Sequence, residues 1–318
     1  MRIVVLTTVT MVAFAANSIL CRLALGDAAI DAASFTTLRL ISGAIMLLVV
    51  SRFTSRSRAT DSGGNWLSAA MLFVYAAAFS FAYTSLSAGT GALILFGAVQ
   101  ATMVLIALRT GERPHRLEWL GLGAALAGLV YLVLPGLSAP SPAGSALMAV
   151  AGIAWGVYSL RGRGVAAPTW ATTANFVRAV PFALIVSAIT LRGISLSPRG
   201  ALLAVLSGAV TSGLGYALWY MALKGLTRTR AAIVQLSVPV IAAAGGVAFL
   251  AEDVSLRLIV SSVMILGGVG LSVTARHSES IRVRDPARPV QEPAGRSNQG
   301  DEATAAERPK RAGSEKDS

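Results

Sequence analysis

Ten apolar stretches, each about long enough to cross a bilayer, dominate this chain and leave little else to fold. A helix needs roughly 20 apolar residues to traverse a hydrocarbon core of about 30 Å. Read with that ruler, the sequence predicts spans near 3–24, 33–51, 66–87, 90–109 and 117–135. Five more follow near 144–161, 169–191, 199–222, 230–250 and 256–275. Backbone N–H and C=O groups find no water inside lipid, so such stretches must be helical. Charged residues make up 13% of the 318 positions, about half the share in a soluble domain.

The charges that do occur are unevenly placed. Residues 1–276 hold nineteen Lys and Arg against seven Asp and Glu, so the net charge of +12 belongs to the apolar body. These arginines punctuate apolar runs instead of forming a patch, which speaks against nucleic acid and for the positive-inside rule. With the N-terminus inside, the cytoplasmic connections collect Arg52, Arg56, Arg58, Arg109, Arg113, Arg116, Arg161, Arg163, Lys224, Arg228 and Arg230. The opposite connections hold only Arg192, Arg199 and Arg257, with Arg22 at a helix end. Eleven against four places both termini in the cytoplasm. Arg2, the first apolar run and Ala13-Phe14-Ala15 share features with a secretory leader, but the run recurs later and is read as an uncleaved span.

From Ser278 the composition turns to Pro, Gly, Ser, Ala and eight charges of each sign, so 277–318 is predicted to be a disordered cytoplasmic tail. The lone Cys21 excludes an internal disulfide, and His115 and His277 lie outside the spans.

A shift of about 137–140 residues brings the two halves into register. It places Arg39 on Arg178, Tyr83 on Tyr220, Glu112 on Glu252 and Gly128 on Gly268. Each match is weak alone, and the shared order is what persuades. Five crossings are an odd number, so the second half must lie upside down relative to the first. Inverted repeats of this kind are frequent among transporters, where two related halves expose a midplane site alternately.

The motifs LRLISGAIMLL at 38–48, GERP at 111–114 and LGLGAALAGLVYLVL at 120–134 carry a family resemblance. The second half adds AVAGIAWGVYSL at 149–160, YALWYMALKG at 216–225, LSVPVIAAAGGVAFLAED at 236–253 and LGGVGLSV at 266–273. Over about residues 1–276 the chain resembles the EamA-domain type of the drug/metabolite transporter superfamily. That resemblance implies an all-α integral membrane protein with ten transmembrane helices, as two inverted five-helix repeats around a central cavity. The repeats would be 1–136 and 143–276. It also implies movement of a small metabolite, often outward, and members similar in organisation include bacterial amino-acid exporters. The expected location is the bacterial cytoplasmic (inner) membrane. Span four departs from the pattern, with Val99 and Gln100 near the position that Pro239 fills in span nine.

Polar groups inside a membrane are costly and therefore candidates for function. Arg39 and Arg178 either snorkel as anchors or contact a substrate carboxylate or gate, and the anchoring role is preferred. Tyr216, Trp219 and Tyr220 share one side of span eight, Trp155 and Tyr158 one face of span six, and Tyr83 matches Tyr220. They are candidates for the cavity lining, with an interfacial belt as the alternative. Asn17, Gln100, Asn175 and Gln235 serve as interhelical hydrogen-bond partners or as lining. Trp66, Trp119 and Trp170 sit at span ends and read as belt anchors.

No Asp or Glu lies near the middle of any span, which lowers the case for central ion coupling. The same absence favours a neutral, zwitterionic or anionic solute over an organic cation. Glu112 and Glu252 are peripheral, with capping and loop pairing preferred. The spans hold no His, no H-E-x-x-H, no paired Asp and no phosphate-binding loop, so neither a metal, a cofactor nor an embedded active site is expected. The predicted function is export, facilitation or exchange of a small metabolite such as an amino acid. A channel or structural scaffold is the alternative, ahead of a membrane-embedded enzyme. The lipid bilayer and a small-molecule substrate are the expected partners, nucleic acid is not, and a homodimer stays undecided.

Overall fold

The computed structural model describes residues 2–54, 64–109, 116–134, 139–162, 165, 167–223 and 234–282. The first half forms α1 (Arg2–Gly26), α2 (Ala32–Thr54), α3 (Trp66–Ala82), α4 (Ala88–Arg109) and α5 (Arg116–Val133). The second half forms α6 (Pro142–Arg161) and α7 (Pro168–Ile189), then a broken eighth span. That span consists of α8 (Pro198–Leu206), a π-helical segment (Ser207–Leu214) and α9 (Gly215–Leu223). α10 (Ser237–Leu250) and α11 (Leu256–Arg282) complete it. Among the described residues, α1, α2, α6, α7 and the broken eighth span taken whole are long and apolar enough to cross a membrane by length and composition, and five shorter apolar helices accompany them.

Local chemistry explains several boundaries. α6 and α8 each begin with Pro at the first helical position, capped by Ser141 and Ser197, whose hydroxyls accept the Gly144 and Gly200 N–H groups. Pro239 sits in the first turn of α10, where its missing N–H costs nothing. α3 ends at Ala82, earlier than the predicted 87, because Tyr83 caps it and a tight turn leads straight to Ala88. α11 runs to Arg282, six residues beyond the predicted repeat boundary at 276. Residues 283–318 lie outside the described residues, as do Glu112, His115, Arg56, Arg58, Arg113, Arg163, Lys224, Arg228 and Arg230.

The packing pattern maps onto itself when the halves are exchanged. α1 lies against the eighth span and α10, as α6 lies against α3 and α4. α2 lies against the eighth span as α7 lies against α3, while the matched pairs α2/α7, α4/α10 and α5/α11 pack on each other. The connections alternate between two ends. At one end the backbone of Asp31 donates to the Ser195 carbonyl at 2.8 Å and Ser197 donates to Ala29 at 2.9 Å. Arg257 reaches the Leu134 carbonyl at the same end. At the other end Ser51 bonds Thr173 at 2.8 Å, and Asn65 donates to the Asn175 side chain at 3.1 Å. The second half is thus an upside-down copy of the first.

Lipid solvates tail-facing side chains as well as a protein core does, so close approach of helices depends on small residues. The matched glycines illustrate it: Gly128 abuts Met264 and Ile265 of α11, and Gly268 abuts Gly121 and Ala125 of α5. Val4, Ile45, Leu120, Ile185, Phe249 and Val263 are exposed around the periphery. In water such a surface would aggregate; in a bilayer it is the solvent-facing surface.

Candidate cavity between the repeats

A narrow cavity lies between the two halves. α1 supplies Phe14, Asn17 and Ser18, α3 supplies Tyr75 and Phe79, and α4 supplies Leu95 and Phe96. From the second half come Trp155 of α6, Thr211, Ser212 and Tyr216 of the eighth span, and Gln235 just before α10. The contributors are corresponding elements of the two repeats.

Its wall is a run of aromatic rings. Trp155 is central, 4.8 Å from Tyr75, 5.2 Å from Tyr216 and 5.6 Å from Tyr158 between ring centres. Phe14 packs edge-on against Tyr216 at 5.8 Å and Trp219 at 6.1 Å. Offset and edge-on contacts of this kind are the preferred aromatic geometries.

The π segment organises the polar side. Its sequence, SGAVTSGL, is small and rich in hydroxyls that compete for backbone partners. Ser207 and Thr211 both donate to the Asn17 side-chain oxygen, at 2.7 and 3.0 Å. Wider turns of this type stagger successive side chains and recur at functional sites.

Arg39 stands directly behind this wall and is only 2% exposed. Its Nη2 donates to the Tyr75 hydroxyl at 3.1 Å and its Nε to the Ser212 hydroxyl at 3.3 Å. The guanidinium also lies 5.0 Å from the Phe79 ring centre and 5.3 Å from that of Tyr75. Nη1 is buried with no hydrogen-bond partner among the described residues. Its hydrogen-bond partners among the described residues are the hydroxyls of Ser212 and Tyr75, neither of them a carboxylate. It does not snorkel, because Ser212, Tyr75 and Phe79 enclose it inside the bundle.

Its sequence counterpart is placed differently. Arg178 is half-buried against Gly64, near the start of α3, and its Nη1 also lacks a partner among the described residues. Beside it a second, smaller cleft is lined by Ser68, Tyr158, Arg161, Thr172 and Asn175. Trp155 faces one space and Tyr158 the other, so this stacked pair forms part of the partition between them.

At the opposite end a polar network joins α1, the start of α4 and the turn after α10. Ala251 takes a left-handed conformation, φ 50°, and folds Glu252 back over Gly246. Both Glu252 carboxylate oxygens accept the Ala88 N–H, at 2.8 and 2.9 Å, and so cap the positive end of α4. Arg22 pairs with the same carboxylate at 3.6 Å and donates to the Tyr83 carbonyl at 3.2 Å. Capping and loop pairing are therefore the role Glu252 plays here. With Cys21 replaced by alanine and Ser18→Cys as reporter, Glu252→Ala should raise maleimide labelling from this end several-fold. Unchanged labelling would show that the network does not close the cavity.

Of the residues singled out in the sequence, Asn17, Trp155, Tyr216 and Gln235 line the central cavity, while Tyr158 and Asn175 line the second cleft. Trp219 packs behind Phe14. Tyr83 and Gln100 are not brought to either space. The Tyr83 ring turns into the room left by Gly91, and its hydroxyl donates to the Ala88 carbonyl at 3.2 Å. Gln100 lies one turn beyond the lining residues Leu95 and Phe96 on α4. The Tyr220 side chain is outside the described residues. Sequence reasoning missed Phe14, Ser18, Tyr75, Phe79, Thr211 and Ser212. The i, i+4 spacing of Tyr75 and Phe79 on a small-residue helix was the available signal.

Comparisons with known proteins bear on what this arrangement is. The model of the EamA-like transporter family matches residues 1–134 and again 142–274. The chain belongs to that family and is an integral membrane transporter of the drug/metabolite type, not an enzyme. It is 50% identical over 281 residues to the uncharacterized protein PA1977 of Pseudomonas aeruginosa, covering 88% of this chain and 98% of that one. An uncharacterized transporter of Archaeoglobus fulgidus is 25% identical over 247 residues, 73% of this chain and 84% of the relative. One crystal structure, 19% identical, shares the fold with a TM-score of 0.60 over 85% of this chain and 99% of that chain.

Proposed function

We propose that this chain carries a small neutral, zwitterionic or anionic metabolite, such as an amino acid, across the bacterial inner membrane by alternating access. Export or exchange is the expected mode, with both termini in the cytoplasm. The observation that carries this reading is the cavity itself, lined by corresponding elements of two inverted repeats. Related halves can exchange roles, so a site between them can face either side in turn. The absence of a carboxylate among the described lining residues supports the choice of solute charge.

A polar network spans the Glu252 end, and the Trp155–Tyr158 pair lies between the cavity and the cleft at the Arg161 end, an arrangement that supports two alternately opened sides. A cation at the Arg161 end and an excess of basic residues there fit a cytoplasmic position. Uptake of a mixed metabolite pool into proteoliposomes should be saturable for at least one such solute, and flux that rises linearly at every concentration would reject a carrier.

Sidedness has its own test, made clean by the single, buried Cys21. In a Cys21→Ala background, Thr84→Cys and Val254→Cys should react with an impermeant maleimide on intact cells. Arg52→Cys and Gly162→Cys should react only after permeabilisation. The reverse pattern would invert the topology.

A further inference from the structure

Arg39 is a buried cation whose charge nothing described neutralises, and a buried ionisable group in a membrane protein is a functional candidate by default. The direction of its hydrogen bonds indicates what that function is. Nε and Nη2 donate into the oxygens of Ser212 and Tyr75, occupying acceptor positions on both hydroxyls. Each hydroxyl keeps its own proton to give away. The Tyr216 ring stands on the central cavity, 5.2 Å from Trp155. Tyr75 and Ser212 line the same cavity. A charge one side chain behind the wall is thereby presented to the cavity as polarised O–H donors, and a donor polarised by a cation is stronger than a neutral one.

We propose that the Arg39–Tyr75–Ser212 wall is an oxyanion-recognising subsite, and that the transported solute carries a carboxylate that docks there. This rests on the transporter reading above. The remainder of the solute lies against Phe14, Trp155 and Tyr216, an apolar and aromatic surface on the same cavity. Monoamines are disfavoured, because the nearest fixed charge is positive and the described lining offers no carboxylate to hold an ammonium group. The unpartnered Nη1 leaves the guanidinium a further donor for direct contact when the wall rearranges.

The test compares matched solutes in proteoliposomes of the full-length chain. Phenylacetate, phenylacetamide and phenethylamine are supplied together with hexanoate, hexanamide and hexylamine, and inorganic phosphate is supplied separately. Protein-dependent accumulation is read by mass spectrometry. The wild type should take up each carboxylate at least roughly tenfold faster than its amide or amine partner, with phosphate excluded. Tyr75→Phe and Ser212→Ala should each cut that preference several-fold at normal protein abundance. Arg39→Gln should erase it and Arg39→Lys should keep part of it. Should the arginine variants fail to insert, the wild-type comparison and the two hydroxyl variants decide the matter.

Amides or amines accumulating as well as the carboxylates would overturn the subsite while leaving the transporter reading intact. Phosphate accumulating in their place would assign the wall to an inorganic anion and reject a carboxylate solute. No accumulation of any organic pair member would overturn the subsite, and the mixed-pool screen then decides the transporter reading separately.

Discussion

Gly208→Ala is expected to leave less than about a tenth of the wild-type flux and to lower thermal stability clearly. Gly208 is the second residue of the π segment, where the eighth span meets α2, and a β-carbon there would meet the Arg39 carbonyl and the Ser42 hydroxyl. The carbonyl belongs to helix backbone and cannot rotate away. α2 would have to move as a body, which costs roughly 3 kcal/mol by the scale of overpacked cores. That movement pulls Arg39 from Ser212 and Tyr75, so the loss should fall on transport as well as on folding. Gly193→Ala is the control, since a β-carbon there meets nothing within 4 Å. Melting of the detergent-solubilised variants and flux per inserted molecule check both halves. Wild-type values for Gly208→Ala would show that the two spans do not pack this closely.

Trp155→Ala should weaken solute affinity by about 30-fold, or roughly 2 kcal/mol, with the protein still inserted. The indole touches Tyr75, Tyr158 and Tyr216, and it joins the first repeat to the second across the cavity. Its removal strips the aromatic wall at its centre and breaches the partition toward the second cleft. Trp155→Phe keeps a ring at that position and should recover most of the affinity. The half-saturation concentration of flux is the quantity to measure. An unchanged value in Trp155→Ala would remove the aromatic wall from the binding site.

How much of this was legible in the sequence differs between fold and site. The ten apolar runs and their inverted order could be read directly, because lipid imposes length and helicity on every crossing. The ends were less legible: α3 stops at Ala82 and not near 87 because of a cap and a tight turn, features short enough to hide inside an apolar run. The site was harder still. Tyr83 and Tyr220 match in the repeat, yet a glycine at position 91 draws the Tyr83 ring away from the cavity. Arg39 and Arg178 match as well, and tertiary packing buries the first and leaves the second half-exposed at the opposite end. Burial depends on what the facing helix offers, here the hydroxyls of a π segment, and α-helical periodicity gives no sign of a π turn. Such a segment lets Thr211 and Ser212 reach the cavity from adjacent positions, which no i, i+4 rule would have selected.

The central claim, that a cavity between two inverted repeats carries the solute by alternating access, is tested most directly by counterflow. Proteoliposomes are loaded with a saturating concentration of an unlabelled solute that passed the uptake screen, then diluted into a trace of the same solute bearing a label. A carrier should accumulate label transiently above its equilibrium level, and Trp155→Ala should reduce that overshoot at the same internal concentration. Label that rises monotonically to equilibrium with no overshoot, in wild type and variant alike, would contradict the account and indicate a continuous pore.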